Sequence, residues 1–357
     1  MALIRQYLDE SMYSLVDFRL SFEAPGGPTG FAEFELLQKA IARLDSSHRT
    51  LFRLLRLGES VTHSEAEQSI PAAVLTAFAQ TGLLVHTDAG DWHTPSLLLV
   101  PVDAVLVFVS IPPSYPSAWK PATVWFDQSS YIVAKALPGS LANRRVLDIC
   151  SGSGIQSLLC ATRGATSVTG LEIMEEAVAV SRVSALLNGV GERTDFRRSD
   201  KLAALEAGEQ FDFIICNTPY APMLAQNQTP ESLGEIGNGL LLALIDQLPE
   251  RLSQRGQGLV ASWRSIGTGG TSSQRKLISS KLAKAGLSST VFVDQASETA
   301  AGVLSMLQTD VEQRYGSDSA AAIVASVRKL FQEGEPVNGF YNQLFFFKRD
   351  GTEIAKR

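Results

Sequence analysis

The sequence predicts an α/β protein: a seven-stranded, doubly wound sheet preceded by a smaller, mainly helical module with a winged-helix-like pattern. Three observations predict this class. After about residue 120, short apolar runs suited to buried parallel strands alternate with helical patterns. The first of those runs leads straight into a turn with two glycines. Before residue 120, amphipathic helices are followed by the alternating pattern of a hairpin.

Length and composition fit such a chain. Its 357 residues are 45% hydrophobic and 19% charged, enough to fold as two domains with a large core. The net charge of −6 argues against binding nucleic acid by charge alone. The longest apolar run, Leu97 to Ile111, contains Pro101 and Asp103 and is too short to span a bilayer, so we expect no membrane association.

Two further features of the sequence bear on the compartment. Asp9 and Glu10 lie where a signal peptide would be apolar, so we expect a cytoplasmic protein. The three cysteines, Cys150, Cys160 and Cys216, show no CxxC spacing. We therefore expect neither a disulfide framework nor a metal site. Cys150 is interpreted as an inert strand cysteine.

The first 120 residues predict helices over residues 31–44, 48–57 and 71–80, then a hairpin with its turn near Ala89-Gly90. This order suggests a winged-helix-like module. Its charge is −5, the wrong sign for phosphate contacts, so we favour a packing or substrate-recruiting role. A proline cluster follows at residues 112, 113, 116 and 121 and places a domain boundary near residue 120. The predicted domains are residues 1–120 and 121–357.

Seven strands are predicted in the second domain, with helices between most of them. Helices are expected over residues 240–252 and 272–285, and a mainly helical insertion over about 295–338 separates the last two strands. The strands are predicted at residues 145–150, 167–172, 195–197, 211–216, 258–263, 289–293 and 340–349.

The turn after the first of these strands is the most informative segment. It reads Ser151-Gly152-Ser153-Gly154, and side chains at the two glycine positions would occupy a ligand's space. Glu172 ends the next strand, 20 residues beyond Gly152, where a carboxylate can accept hydrogen bonds from ribose hydroxyls. Ser157 stands where a dinucleotide-binding motif has its third glycine. The spacing therefore favours a nucleoside over a dinucleotide.

Two further segments lie at predicted strand ends. Asp200 follows the third strand, where it could accept a hydrogen bond from an adenine amino group or simply cap a loop. Asn217-Thr218-Pro219-Tyr220 follows the fourth strand, at the edge where doubly wound sheets bind substrates. The Asn217 oxygen and a backbone carbonyl could both accept hydrogen bonds from one planar NH₂ group. Pro219 would fix the turn and Tyr220 would stack on the acceptor.

Together these motifs resemble the class I S-adenosylmethionine-dependent methyltransferases with an (Asn/Asp/Ser)-Pro-Pro-(Tyr/Phe) motif. That branch includes glutamine N-methyltransferases and adenine N6-methyltransferases. The resemblance covers residues 122–260 and the last strand, and it implies a Rossmann-like sheet with S-adenosylmethionine as cofactor. It also implies that Asn217, Pro219 and Tyr220 form the catalytic motif. The cofactor residues that it implies are Asp127, Asp148, Ser151, Gly152, Gly154, Glu172, Asp200 and Asn217, with Asp127 in the segment 125–131 that closes over the cofactor.

The resemblance implies methyl transfer to a planar nitrogen of a protein, nucleic acid or small molecule. The acidic N-terminal region favours a protein or small-molecule acceptor over nucleic acid. Thr218 stands where the family usually has proline, which leaves an O- or C-methyltransferase of specialised metabolism as one alternative. A non-catalytic module that binds the cofactor is the other. The sequence does not distinguish oligomeric states.

Overall fold

The computed structural model describes residues 1–25, 32–112, 114–118, 122–218, 239–267, 273–299 and 337–349, with isolated positions between 301 and 328. Within these ranges, six helices precede the first strand. They are α1 (Ala2–Glu10), α2 (Tyr13–Glu23), α3 (Phe34–Ile41), α4 (Ser46–Leu57), α5 (His63–Ser69) and α6 (Ala72–Gln80). None of the helices so described is both long and apolar enough to cross a membrane.

Three of these helices were predicted and three were not. The prediction for residues 31–44 gives α3, which is shorter at both ends, while α4 and α6 lie close to their predicted bounds. Asp45 caps α4 by accepting a hydrogen bond from the His48 N–H (3.1 Å), and Gly58 ends it with a φ of 66°. The sequence analysis missed α1, α2 and α5.

Two small hairpins follow the helices. The first pairs β1 (Val85–His86) with β2 (Trp92–His93), and Gly90 has a φ of 87° in the intervening turn, as predicted near Ala89-Gly90. The second, which was not predicted, pairs β3 (Leu97–Val102) with β4 (Val105–Ser110). All six residues of β4 are buried, so this hairpin is part of the core. The winged-helix-like interpretation of the module stays a prediction.

The remaining elements form the large sheet and its flanking helices. A 3₁₀ turn at Gly191–Arg193 precedes the third strand of the sheet. In chain order the elements are α7 (Gln128–Ala136), β5 (Arg145–Ile149), α8 (Ile155–Thr162), β6 (Ser167–Glu172), α9 (Glu175–Leu187), β7 (Thr194–Arg198), β8 (Phe211–Asn217), α10 (Gly239–Ile245), α11 (Leu248–Arg251), β9 (Leu252–Gly267), α12 (Ser273–Lys284), β10 (Leu287–Thr299) and β11 (Val337–Arg349).

The sheet confirms the predicted α/β class with seven strands among the described residues. Their order is β7-β6-β5-β8-β9-β11-β10. The five strands β7, β6, β5, β8 and β9 are parallel to one another, whereas β11 runs antiparallel to both β9 and β10. From β5 the chain adds β6 and then β7 on one side of β5, and it then crosses to β8 on the other side. The carboxyl ends of β5 and β8 therefore lie side by side at a topological switch point, where open α/β sheets bind ligands.

Several predicted bounds are corrected by the structure. The helix expected over residues 240–252 is two helices, and Leu252 belongs to β9, where it pairs with Phe211 of β8. Long antiparallel pairing extends β10 to Thr299 and starts β11 at Val337, so both strands reach into the expected insertion at 295–338. The described positions between 301 and 328 are helical. Residue 272, the expected start of α12, lies outside the described residues.

Two clusters of buried residues cover the two faces of the sheet. Successive side chains of β5 point to opposite faces of the sheet, so Val146 belongs to one cluster and Leu147 to the other. The cluster with Leu147 includes residues of α10 and α12. The cluster with Val146 continues through α8 and α9 into the N-terminal helices and both hairpins. The buried core thus runs past residue 120, and the domain boundary there stays a prediction.

Candidate active site

The turn after β5 has an unusual backbone. Cys150, Gly152 and Gly154 all have positive φ, at 60°, 52° and 77°. Within the turn, the Gly154 N–H donates to the Ser151 carbonyl (2.7 Å), and Gly154 precedes the first residue of α8. The turn therefore brings the start of α8 to the carboxyl end of β5.

The two glycines are needed for different reasons. A Cβ on Gly152 would lie 3.7 Å from the Trp125 carbonyl oxygen, with no closer protein atom among the described residues, so that side of the turn is open to a ligand. A Cβ on Gly154 would lie 2.8 Å from the Ser181 hydroxyl and 3.0 Å from the Phe196 ring. Space for a ligand was the expected reason for both glycines. At Gly154 the structure gives close packing against α9 and β7 instead.

Glu172 faces the same turn from the end of β6. Its Oε2 accepts a hydrogen bond from the Gly152 N–H (3.0 Å), and its Oε1 accepts from the N–H groups of Ile173 (2.8 Å) and Met174 (3.0 Å). A carboxylate has about four lone-pair sites, so three such bonds leave it able to accept another. The structure thus brings Glu172 and the glycine turn together, as the predicted ribose site requires.

Asp148 lies beneath the turn and is fully buried. Its Oδ2 accepts hydrogen bonds from the Ser157 N–H (3.1 Å) and hydroxyl (2.7 Å), whereas its Oδ1 is buried and has no partner among the described residues. Burial raises the pKa of Asp148 to about 7, the two Ser157 bonds lower it in part, and nearby Glu172 raises it. A cation beside Oδ1 would stabilise the charged form.

The third part of the site is the start of α7 facing the end of β8. Asp127 caps α7, and its Oδ1 accepts hydrogen bonds from the Ser130 N–H (3.1 Å) and the Ser129 hydroxyl (2.6 Å). The Asn217 side-chain amide donates from Nδ2 to Ser129 Oγ (3.2 Å). Asn217 Oδ1 is buried and accepts no hydrogen bond from any of the residues that the structure describes. Asp127, predicted as a cofactor residue, is therefore placed as a helix cap linked to Asn217.

Buried oxygens without partners cluster around these strand ends. In the described part of the chain, six of them lie on or just beyond β5, β8 and β9, while others, such as Thr94 Oγ1 and Ser288 Oγ, lie away from these strand ends. One of the six belongs to Ser262, which directly follows Ala261, the β9 residue paired with Asn217. Unsatisfied buried polar groups cost free energy, so their concentration here indicates a site built for a polar ligand. The atoms are Asp148 Oδ1, Ser151 Oγ, Ser153 Oγ, Asn217 Oδ1, Thr218 Oγ1 and Ser262 Oγ.

The structure does not place the remaining predicted site residues, Asp200, Pro219 and Tyr220, in this cluster. Asp200 is exposed, and its carboxylate lies 3.1 Å from the ammonium group of Lys201. No hydrogen bond or ion pair given by the structure links it to the turn at residues 151–154. Pro219 and Tyr220 lie outside the described residues. Among the described residues, no group of three or more His, Cys, Asp or Glu side chains is arranged to hold a metal ion, and the expectation of a site without metal stays a prediction.

The sequence analysis missed Ser129, Ser153 and Ser262 as residues of this site. Ser129 lies two positions after Asp127, inside the segment 125–131 that was noted, but its partner Asn217 is 88 positions away in the chain. Only the spacing Asp-x-Ser at the start of a predicted helix could have pointed to it. Ser262 lies in a predicted strand, and its position beside Asn217 follows only once the strand order is known.

Comparison with known proteins assigns this architecture to a family. Residues 122–261 match the family model of the methyltransferase small domain. The chain is 30% identical over 148 residues to a Methanocaldococcus jannaschii protein named as a protein N5-glutamine methyltransferase, covering 40% of this chain and 70% of that protein.

Two further relatives are similar over shorter stretches. A ribosomal protein L11 methyltransferase from Heliobacterium modesticaldum is 31% identical over 121 residues, which cover 32% of this chain and 37% of that protein. A ubiquinone biosynthesis O-methyltransferase from Stutzerimonas stutzeri is 41% identical over 78 residues, covering 22% and 32%. The chain thus spans only about a third of the length of these two relatives.

Proposed function

Because the chain belongs to the class I S-adenosylmethionine-dependent methyltransferases, we propose that it methylates a planar nitrogen, amide or amino, of a protein or small molecule. The relative named as an N5-glutamine methyltransferase supports nitrogen as the acceptor atom. The acidic balance of the first 120 residues favours these acceptors over nucleic acid.

One observation carries the proposal. At the end of β8, Asn217 Oδ1 is buried and has no hydrogen-bond partner in the described part of the chain, while Nδ2 of the same amide donates to Ser129. An unoccupied carbonyl oxygen at this position fits a ligand that donates a hydrogen bond. An amide or amino nitrogen has such an N–H, and a deprotonated oxygen acceptor has none.

The residues around the turn fit the cofactor. The open side of Gly152 would admit the ligand, and the carboxylate of Glu172 would accept bonds from the ribose hydroxyls. The unpartnered oxygens of Asp148 and Ser151 would face the methionine portion, whose ammonium group is a hydrogen-bond donor. S-adenosylmethionine, when bound, supplies an electrophilic methyl group on a sulfonium that is already a good leaving group.

The work left to the protein is alignment. Asn217 Oδ1 and the Thr218 carbonyl would each accept one N–H from the acceptor, which holds its nitrogen lone pair toward the methyl group. These bonds favour a pyramidal nitrogen and strengthen as positive charge develops there. No histidine base is needed, since the proton leaves after transfer. The four histidines all lie before residue 120, and the polar contacts of their rings are to other residues of the N-terminal region.

The first test replaces Asn217 with alanine. We expect kcat to fall about 100-fold, the usual effect of removing one transition-state hydrogen bond of this kind. Affinity for S-adenosylhomocysteine, measured by calorimetry, should stay within about threefold because the proposed hydrogen bond of Asn217 Oδ1 is to the acceptor. Gln247→Ala is the control, since Gln247 is an exposed amide whose side chain donates to the Ala243 carbonyl of the preceding helix α10. Near-normal turnover of Asn217→Ala would contradict nitrogen alignment.

The second test identifies the atom that receives the methyl group. The protein is incubated with tritiated S-adenosylmethionine and, separately, the protein, RNA and small-molecule fractions of a cell extract. An N-methyl amide releases methylamine on acid hydrolysis, whereas a methyl ester releases methanol in mild base. Methylamine from the protein or small-molecule fraction is the expected result for an amide acceptor, whereas an N-methylated amino group keeps the label through acid hydrolysis and is identified by mass spectrometry. Methanol would support the O-methyltransferase alternative, and binding without labelling would support the non-catalytic one.

A further inference from the structure

We infer that Ser129 is a positioning residue that fixes which end of the Asn217 side-chain amide faces the acceptor. The inference rests on the proposed function, because it concerns the same asparagine. It goes further by assigning the selection of N–H-bearing acceptors to a chain of three side chains. Asp127, Ser129 and Asn217 form this chain.

The hydrogen-bonded series Asp127–Ser129–Asn217 is short and continuous. Asn217 Nδ2 donates to Ser129 Oγ (3.2 Å), and the Ser129 hydroxyl donates to Asp127 Oδ1 (2.6 Å). Ser129 is 5% exposed, so little water competes for these bonds. Asp127 is held in turn by the backbone N–H of Ser130 (3.1 Å), and the Ser130 carbonyl accepts a bond from buried Gln156 on α8 (3.3 Å). Both ends of this hydrogen-bonded series are therefore anchored to secondary structure, Asp127 at the start of α7 and Asn217 at the end of β8.

The direction of the hydrogen bonds follows from the groups themselves. A carboxylate has no hydrogen to donate, and a serine hydroxyl has only one. Once that hydrogen is directed to Asp127, Ser129 Oγ can only accept. The group that meets it must be the NH₂ end of Asn217, and so the oxygen end points the other way. The two ends of an amide are nearly equal in shape, so this bond pattern sets the orientation.

The orientation has a chemical consequence. With Oδ1 turned to the acceptor, Asn217 accepts an N–H. With the amide reversed, its own N–H groups would face those of the acceptor, and neither side would be satisfied. The hydrogen bonds from Asn217 through Ser129 to Asp127 therefore favour acceptors that carry hydrogen on nitrogen. It does so without Ser129 or Asp127 touching the acceptor.

The test needs a probe that does not depend on the unknown acceptor. Sinefungin is an analogue of S-adenosylmethionine in which an amino-bearing carbon replaces the methylated sulfur. Its amine lies where the transferred methyl group would be and donates N–H toward Asn217. S-adenosylhomocysteine lacks this donor. The ratio of the two dissociation constants, measured by calorimetry on the full chain, therefore reports whether an acceptor oxygen faces that position.

We expect the wild-type protein to prefer sinefungin, and Ser129→Ala to reduce that preference about tenfold, the size expected for one hydrogen bond to a charged group. Asp127→Asn should reduce it similarly. Asparagine caps a helix as well as aspartate does, but it can donate to Ser129 and free the serine hydrogen to turn toward Asn217 Oδ1. Ser129→Thr keeps the hydroxyl and should restore the preference.

Ser130→Ala is the matched control, because Ser130 also touches Asp127 and caps α7 but does not bond to Asn217. It should leave the ratio unchanged. A fall in Ser130→Ala equal to that in Ser129→Ala would assign the effect to the helix cap and overturn the inference. An unchanged ratio in both Ser129→Ala and Asp127→Asn, with loss in Asn217→Ala, would also overturn it but leave the proposed function standing. An unchanged ratio in Asn217→Ala would contradict the proposed function itself.

Discussion

Asp148 is the residue of this site whose environment differs most from water. Its carboxyl group is fully buried, one oxygen is held by Ser157, and the other has no partner. Burial is the main cause of its pKa of about 7, well above the ordinary value near 4. Holding such a group in place costs stability, which a bound cation could offset. Asp148 is thus a candidate for contact with the cofactor's ammonium group.

This pKa shift predicts how the stability of the unliganded protein depends on pH. Between about pH 4 and pH 7 the folded chain binds more protons at Asp148 than the unfolded chain, so this group makes the free energy of unfolding fall as pH rises. Asp148→Asn removes that contribution. Urea denaturation from pH 5 to pH 8 should show the variant gaining stability relative to wild type as pH increases.

Ser157→Ala is the matched variant for this measurement. It removes the hydroxyl bond that lowers the Asp148 pKa, so the fall in stability should extend to higher pH. Parallel stability curves for wild type and Asp148→Asn would show that Asp148 has the same pKa in the folded and unfolded chains.

The element that connects the parts of this molecule is helix α9. From its first turn onward, Glu176 accepts a bond from the Thr123 hydroxyl (2.8 Å), and Ser181 donates to the Gly152 carbonyl (3.1 Å). Near its end, Ser184 Oγ accepts from the Phe108 N–H (3.1 Å). Just beyond it, Asn188 bonds to both backbone groups of Leu106. One helix therefore contacts the cofactor turn and strand β4 together.

Asn188 gives a prediction at the scale of this element. Its Oδ1 accepts from the Leu106 N–H (2.9 Å) and its Nδ2 donates to the Leu106 carbonyl (2.6 Å), so it acts as a neighbouring strand would. Asn188→Ala leaves both backbone groups of a buried residue without that partner, and we expect a loss of about 2 kcal/mol in the free energy of unfolding. Chemical denaturation measures it.

Asn188→Asp provides the comparison, because it keeps the acceptor for the Leu106 N–H and replaces the donor to the Leu106 carbonyl with a carboxylate oxygen. It should fall between the alanine variant and wild type, and hydrogen exchange at the Leu106 amide should speed up mainly in Asn188→Ala. Equal exchange rates in all three proteins would mean that Asn188 does not hold β4.

At the scale of the whole molecule, the N-terminal region and the sheet share one of the two buried clusters. The cluster runs from Ile4 through Phe52 and Phe108 to Val146 and Phe213. Continuous apolar packing of this kind couples the stability of its parts. The N-terminal region thus packs against the sheet and is placed to stabilise it, while its expected role in recruiting a substrate stays a prediction.

This shared core predicts one cooperative unfolding transition. Phe52, fully buried and stacked on Tyr13 at 4.6 Å between ring centres, lies far from the candidate active site in the chain. Phe52→Ala should cost about 3–5 kcal/mol and lower a single calorimetric transition for the entire chain. Amides of β4 and β5 should lose their hydrogen-exchange protection together. Two separate transitions, with only the first lowered, would contradict coupling across residue 120.

The sequence predicted the sheet well because its signals are local. Each parallel strand is a short apolar run, and the turn at residues 151–154 and Asn217 mark strand ends that the doubly wound order brings together. The missed helix α2 lacks such a signal, since large apolar residues such as Phe18 and Phe22 lie on its exposed side. The links from Ser129 to Asn217 and from Gly154 to Ser181 depend on tertiary packing, which no local pattern encodes.

The double attachment of α9 bears on how this protein could be re-engineered. A chimera that joins these first 110 residues to a methyltransferase core whose equivalent helix lacks the serine and asparagine would leave β4 without these two hydrogen-bonding partners. The graft would expose an apolar hairpin in place of a docked one. Transferring Ser184 and Asn188 together with the module is therefore the minimum design. Because α9 also contacts the glycine turn through Ser181, a misplaced helix would also displace that turn.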